Sequence, residues 1–199
     1  MNADGRSPHS RLEEDGPVFD DGRSKKVILV LHCLLNQNAR FDGCAHFPGA
    51  MGEAARAVVD SGVGILQMPC PELHGLGLDR SGRVRDGTDI GIREALLEEE
   101  GQKVCRHLVQ LVMDNVKEYQ KHGFQVIGVV GNDGSPACGV DTTHYVDRGE
   151  GPGQGAFMIV LREELTRCGL DIPFVALQDY EWSERTARIK ALLDAATKL

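Results

Sequence analysis

No CxxC pair occurs in this 199-residue chain, although it carries six cysteines. That absence removes the ligand spacing typical of zinc ribbons and ferredoxin clusters, and the dithiol of thioredoxin-like exchange. Positive charge is also short. Lys and Arg number 22 against 30 Asp and Glu, a net charge of −8. Such a balance argues against bulk electrostatic binding to nucleic acid or anionic membranes. No apolar run approaches the roughly 20 residues that span a bilayer. The N-terminus has no signal-peptide core, so export is not expected and the cytoplasm is the expected compartment. There, six cysteines favour reduced thiols, metal binding or catalysis over a disulfide framework.

What remains is ordinary globular material, 41% hydrophobic and 26% charged, long enough for one domain with a full core. Residues 1–24 are polar and aperiodic and read as a disordered or loosely docked tail, leaving 25–199 as a single domain. Strands are expected over Val27–Leu31, Val63–Met68, 125–130 and Pro173–Leu177. Helices are expected over Gly49–Ser61, over Ile92–His122 with a break near Gly101, over Gly155–Arg167 and over Ser183–Leu199. The long central helix has its apolar stripe at Val104, Leu108, Leu111, Val112 and Tyr119. Between strand and helix patterns, 74–91 reads as a lid or specificity loop. Alternating strands and helices, with continuous apolar runs in the strands, predict an α/β fold. The expected form is an open three-layer sandwich with a mostly parallel four- to five-stranded sheet and helices on both faces. No internal repeat is present.

Three cysteines stand where expected strands run out: Cys33, Cys70 and Cys138. Ligands of open parallel sheets bind beyond the carboxyl ends of the strands, where strand order reverses. Three thiols on three such ends can meet, with room for a fourth, non-protein ligand. That is a metal or cluster centre with an open position, and thiolates accept iron and zinc alike. Pro69 and Pro71 stiffen the backbone around Cys70, and Pro136 and Gly139 flank Cys138. Cys105 and Cys168 fall within helical patterns and read as core residues. Cys44, close in sequence to Cys33, is a spare thiol, a redox partner or a fourth ligand. His32 reads as core or support, whereas His46, His74 and His144 sit in loops able to touch a substrate.

Three segments in this order carry a resemblance: Cys33-Leu-Leu-Asn-Gln-Asn-Ala-Arg-Phe-Asp-Gly43, Cys70-Pro-Glu-Leu-His-Gly-Leu76 and Gly134-Ser-Pro-Ala-Cys-Gly139. Together they resemble the thiouracil desulfidase (TudS-like) family over about residues 27–177. The resemblance implies that Cys33, Cys70 and Cys138 hold a [4Fe–4S] cluster through three irons. The fourth iron stays open to the sulfur of a thiocarbonyl compound, a thiouracil-like heterocycle or thioamide. Lewis-acid activation then removes the sulfur as hydrosulfide without redox change. Such a step needs proton transfer, expected from Glu72, with Ser135 and Asp42 as further catalytic candidates and Arg40 and His74 as substrate contacts. The bland readings are a cap for Glu72, a Ser-Pro turn for Ser135 and an Asp-Gly turn for Asp42.

Departures from the family motifs make this a divergent member. Asn36 replaces a glycine, Ala39 stands where a further cysteine is common, and Asn132-Asp133-Gly134 replaces a more basic approach. They point to a different substrate, with Arg80, Arg83 and Arg85 in the 74–91 loop available to grip an anionic group. The enzyme is expected to be oxygen-sensitive and a monomer or homodimer, with a small-molecule partner and no nucleic acid or membrane. Two alternatives stand beside it: a dehydratase-type iron–sulfur lyase, and a non-catalytic zinc- or cluster-binding sensor whose shell Cys44 or a histidine closes.

Overall fold

The computed structural model describes residues 19–177 and 182–197. Its centre is a parallel sheet of β1 (Lys26–Val30), β2 (Gly64–Gln67), β5 (Gln125–Asn132) and β8 (Phe174–Leu177), in the order β2-β1-β5-β8. Val27 to Val30 pair with Gly64 to Gln67 on one side. On the other side β1 pairs with β5, with a register slip between Val27 and Ile28. Phe174 to Leu177 pair with Val129 to Asn132. The first crossover leaves β1 in one direction and the next returns past it, so strand order reverses at β1. The carboxyl ends of β2, β1 and β5, neighbours in the sheet, lie around that reversal.

Helices cover both faces, as the apolar runs predict. Ile28 and Val30 of β1 face α2 (Gly52–Asp60) and α7 (Trp182–Thr197), packing with Val58, Ile189 and Leu193. Leu29, between them, points the other way. It joins Val129 and residues of α5 (Glu99–Lys121) and α6 (Ala156–Arg167), among them Val112, Met113, Phe157 and Leu161. Alternation along one strand thus feeds two cores, the signature of a sheet buried on both faces.

The remaining elements decorate the carboxyl edge. They are α1 (His32–Leu35), α3 (Pro71–Leu76), α4 (Ile92–Leu97) and two antiparallel ribbons. One ribbon pairs β3 (Val84–Arg85) with β4 (Thr88–Asp89); the other pairs β6 (Thr142–Tyr145) with β7 (Gly149–Pro152). Neither ribbon shows in the sequence pattern, since short strands rich in Gly and charge lack an apolar alternation.

Two helical expectations need correction. The break in the long helix falls at Glu98, not near Gly101. Gly101 lies inside α5, where a Cβ would come within 2.2 Å of the Ala95 carbonyl oxygen and 2.5 Å of Leu96 Cα. Its missing side chain lets α4 and α5 meet at a close corner. The buried stripe keeps Leu108 and Val112 as expected but also takes in Cys105, Val109, Met113 and Val116, whereas Leu111 is 47% exposed.

Residues 1–18 of the expected tail lie outside the described residues. Phe19 sits edge-on to the rings of His122 and Phe124, with the Arg23 guanidinium over its ring. Among the described residues no helix is long and apolar enough to cross a membrane.

Candidate metal centre

Each of the three cysteines is held by a different local device. After β1, the chain turns through α1, which contains Cys33. Gln37, 1% exposed, pins this turn: its side-chain amide donates to the Cys33 carbonyl at 2.8 Å and accepts from the His46 N–H at 3.2 Å. Cys70 is the N-cap of α3, with Pro71 in the first turn where its missing N–H is harmless. The Leu73 N–H points at the Cys70 sulfur at 3.5 Å.

Cys138 rides on the most heavily bonded loop of the three. Ser135 Oγ accepts from the Cys138 N–H at 2.9 Å and the Ala137 N–H at 3.3 Å. Asp133 Oδ1 accepts from three successive N–H groups, those of Val140, Asp141 and Thr142, at 2.9 to 3.2 Å. A buried carboxylate thereby folds 133–142 around itself.

Strand order brings the three loops side by side, within about two strand spacings or ~10 Å. All three thiols line one cavity of about 480 Å³. Burial pushes the Cys138 thiol well above its ordinary range, and the neighbouring Cys70, Cys33 and Glu72 push further in the same direction. The Cys70 thiol is also raised, by burial first and Glu72 second, against the opposing pull of the Leu73 N–H. Three soft sulfur donors that repel one another as thiolates suit a cationic, thiophilic centre between them. The donor set therefore fits an iron–sulfur cluster bound through three cysteines.

Around the thiols the structure brings Glu72, Ser135 and Arg40 into the lining, and with them His32, Cys44 and His144. Burial, followed by the neighbouring His74, holds the His32 imidazole below its ordinary range. Asp42 and His74 are not among the lining residues; both are exposed, Asp42 in the turn before Gly43 and His74 on α3. His46 is likewise exposed and outside the lining. Cys105 is fully buried in the core, its thiol pushed up to about 12 by burial. Cys168 packs at the core's margin.

The arginines of 74–91 do not form an anion grip. Arg80 is 1% exposed and points inward. Its guanidinium donates to Glu72 Oε2 at 3.1 Å and to the carbonyls of Gly77, Leu78 and Ala39 at 2.7 to 2.9 Å. Arg83 is paired with Asp89 at 2.8 Å, and Arg85 with Glu98 at 2.7 Å. Arg80 thus ties the Cys33 turn, through Ala39, to the helix that carries Cys70 and Glu72.

The profile of the 2-thiouracil desulfurase family matches residues 28–171. The chain belongs to the 2-thiouracil desulfurase family. All three cysteines, Glu72 and Ser135 fall inside the matched span of this family member, and β8 lies beyond it. An uncharacterized protein of Methanocaldococcus jannaschii is 30% identical over 118 residues, 59% of this chain and 70% of its own. A solved structure, the [4Fe–4S]-dependent thiouracil desulfidase TudS, is similar at 19% identity and a TM-score of 0.48. The similarity covers 83% of this chain and 99% of that one.

Four residues of this family member's site have roles that the sequence does not disclose. Gln37 and Asp133 are polar residues in loops, where the default is solvent, and only their partners reveal them. Arg80, between Asp79 and Ser81 in the 74–91 loop, reads in sequence as a loop cation able to grip an anion, and only its partners show that it points inward. Glu94 follows a glycine-led helix start, Gly91, and lines the same cavity. An acidic residue in a helix's first turn ordinarily signals the macrodipole and nothing more.

Proposed function

We propose that this chain is an iron–sulfur-dependent desulfidase that removes sulfur, as hydrosulfide, from a small thiouracil-like heterocycle or thioamide. The observation that carries the reading is the meeting of Cys33, Cys70 and Cys138 with Glu72 and Ser135 around one cavity. A [4Fe–4S] cluster bound by the three thiolates supplies a thiophilic Lewis acid for the C=S group.

The chain's own residues supply the protons and the fixed geometry. Glu72, held on one oxygen by Arg80, is the acceptor for a proton of the attacking water. Water's oxygen bonds to the thiocarbonyl carbon, the C–S bond breaks, and water's second proton leaves with the sulfur. Glu72 then gives its proton up to solvent, so the sum is thiocarbonyl plus water giving carbonyl, hydrosulfide and a proton. Ser135 Oγ already accepts two N–H groups, so its remaining capacity is its own O–H, aimed at a polar atom of substrate or water. Asp42, on its exposed turn, has no part in this scheme. A reducing, cytoplasmic setting suits the thiols.

The deciding experiment is anaerobic purification with iron and acid-labile sulfide counted per chain. About four of each, lost in Cys33→Ala, Cys70→Ala and Cys138→Ala variants, together with sulfide released from 2-thiouracil, supports the proposal. Stoichiometric zinc, or no metal after anaerobic reconstitution, overturns it. Cys44 in the lining keeps the closed-site sensor as a second reading. Loss of the metal centre in Cys44→Ala selects that reading, and retention of both centre and activity removes it.

A further inference from the structure

Glu94 is the carboxylate of the cavity wall with the least support. Asp133 feeds three N–H groups, Glu72 has Arg80, Asp89 has Arg83 and Glu150 accepts from the Thr142 hydroxyl. Among the described residues Glu94 has one long contact: Oε1 accepts from the Val146 N–H at 3.5 Å. Its other oxygen, Oε2, is enclosed and has no hydrogen-bond partner among the described residues. Nearby cations are engaged elsewhere. Arg83 is on Asp89, and Arg93 donates to the Gln154 carbonyl and lies over the Tyr145 ring. A buried polar group left short of partners in a cavity wall needs a reason.

The wall is also shaped to keep this carboxylate in place. Gly91 caps α4, and a Cβ there would come within 2.5 Å of Glu94 Oε2 and 2.8 Å of Val146 Cβ. Only a glycine leaves room for the acid in this pose. The last side-chain torsion is a soft one, so a turn short of exchanging the two equivalent oxygens brings the unpartnered one toward the cavity.

We infer that Glu94 accepts a hydrogen bond from a ring N–H of the substrate, so that the cavity selects thiocarbonyl compounds bearing the HN–C=S unit or an N–H close to it. The inference rests on the desulfidase reading and narrows its substrate class. An acceptor at the ring N–H favours the thione tautomer, with hydrogen on nitrogen and sulfur doubly bonded to carbon. That is the form whose carbon is open to attack. The matched arginines leave no reason to expect a preference for an anionic group, in place of the grip that Arg80, Arg83 and Arg85 suggest in sequence.

The test pairs Glu94→Ala and Glu94→Gln with three ligands: 2-thiouracil, its N1-methyl form and its N3-methyl form. Each holoprotein is first matched to wild type in iron content and visible spectrum. Glu94→Ala, which removes the acceptor, is expected to raise KM for 2-thiouracil about tenfold or more, and Glu94→Gln, which keeps an amide oxygen, to raise it less. For the methylated compound that lacks the recognised N–H, wild type and variants should agree within about twofold, because the contact is already gone. Equal losses on all three compounds would mean a merely structural role and overturn the inference. Calorimetric binding of 2-thiouracil separates the two proposals. Wild-type binding that weakens in Glu94→Ala, without sulfide release, upholds Glu94 and sinks the desulfidase. Turnover that is indifferent to Glu94 does the reverse, and no wild-type binding overturns the inference outright.

Discussion

Arg80 carries its charge where water does not reach, and four acceptors share its guanidinium. Two of them belong to different ligand-bearing segments, Ala39 behind Cys33 and Glu72 beyond Cys70. Its backbone lies in the left-handed region, at φ 60°, an uncommon conformation for a side chain of this size. The fold therefore accepts local strain to bring the guanidinium inward. Arg80→Met keeps the apolar stem but leaves Glu72, 13% exposed, with an uncompensated charge. The expected cost is about 3 kcal/mol of unfolding free energy, as for other half-broken buried pairs. Glu72→Gln added to Arg80→Met removes that charge and should recover about 1 kcal/mol or more, read from urea midpoints of the apo chains. Strictly additive losses would show that the pair is uncoupled. Activity should follow a different pattern, falling in both single variants and in the double, because Glu72 is the proposed proton acceptor.

The three cysteine segments differ in how much of their geometry the sequence discloses. Apolar runs that end at Cys33 and Cys70, and just before the Cys138 loop, are legible because a doubly covered strand has to be apolar throughout. The parallel order follows from the helices between them. The helix corner at Glu98 is not legible, since Gly101 reads as a breaker until its close approach to Ala95 is seen. Nor is the absence of Asp42 from the cavity: Asp-Gly serves a turn or a site equally well in one dimension. The Cys138 loop shows both cases at once. Ser135 was visible as loop chemistry, whereas Asp133 looked like a departure from the family pattern and is the residue that folds the loop. Asp133→Ala strands three N–H groups and should destabilise by about 3 kcal/mol. Ser135→Ala, losing a turn cap, should cost only about 1 kcal/mol. Limited proteolysis of the two variants checks this, with cleavage between 133 and 142 expected for Asp133→Ala well before Ser135→Ala. Equal protease resistance would mean that the Asp133 carboxylate is not what orders the loop.

Across the whole molecule, the site and the cores are separate constructions. Two apolar layers, one under α2 and α7 and one under α5 and α6, sandwich the sheet, and none of Cys33, Cys70 and Cys138 belongs to their buried clusters. Cys33 and Cys138 only border those layers, and Cys70, in neither, caps the six-residue α3, whose Leu76 reaches into the layer under α5 and α6. The thiols and their cavity occupy the carboxyl edge, where three neighbouring strands release their loops. The proposed centre would tie the three loops together and bind the native chain alone, and so add stability by mass action. Because the cores do not depend on it, its removal should leave the fold standing. Anaerobic chelation is therefore expected to keep the far-UV circular dichroism while lowering Tm. Loss of about 3–4 kcal/mol of linked binding free energy corresponds, for a chain of this size, to on the order of 10 °C. Reconstitution with iron and sulfide should restore Tm in wild type and leave Cys33→Ala where it was. A chain that unfolds on chelation would place the centre inside the folding core. A Tm that does not respond to loading would mean the three loops are not joined through it, contrary to a site built on three adjacent strand ends.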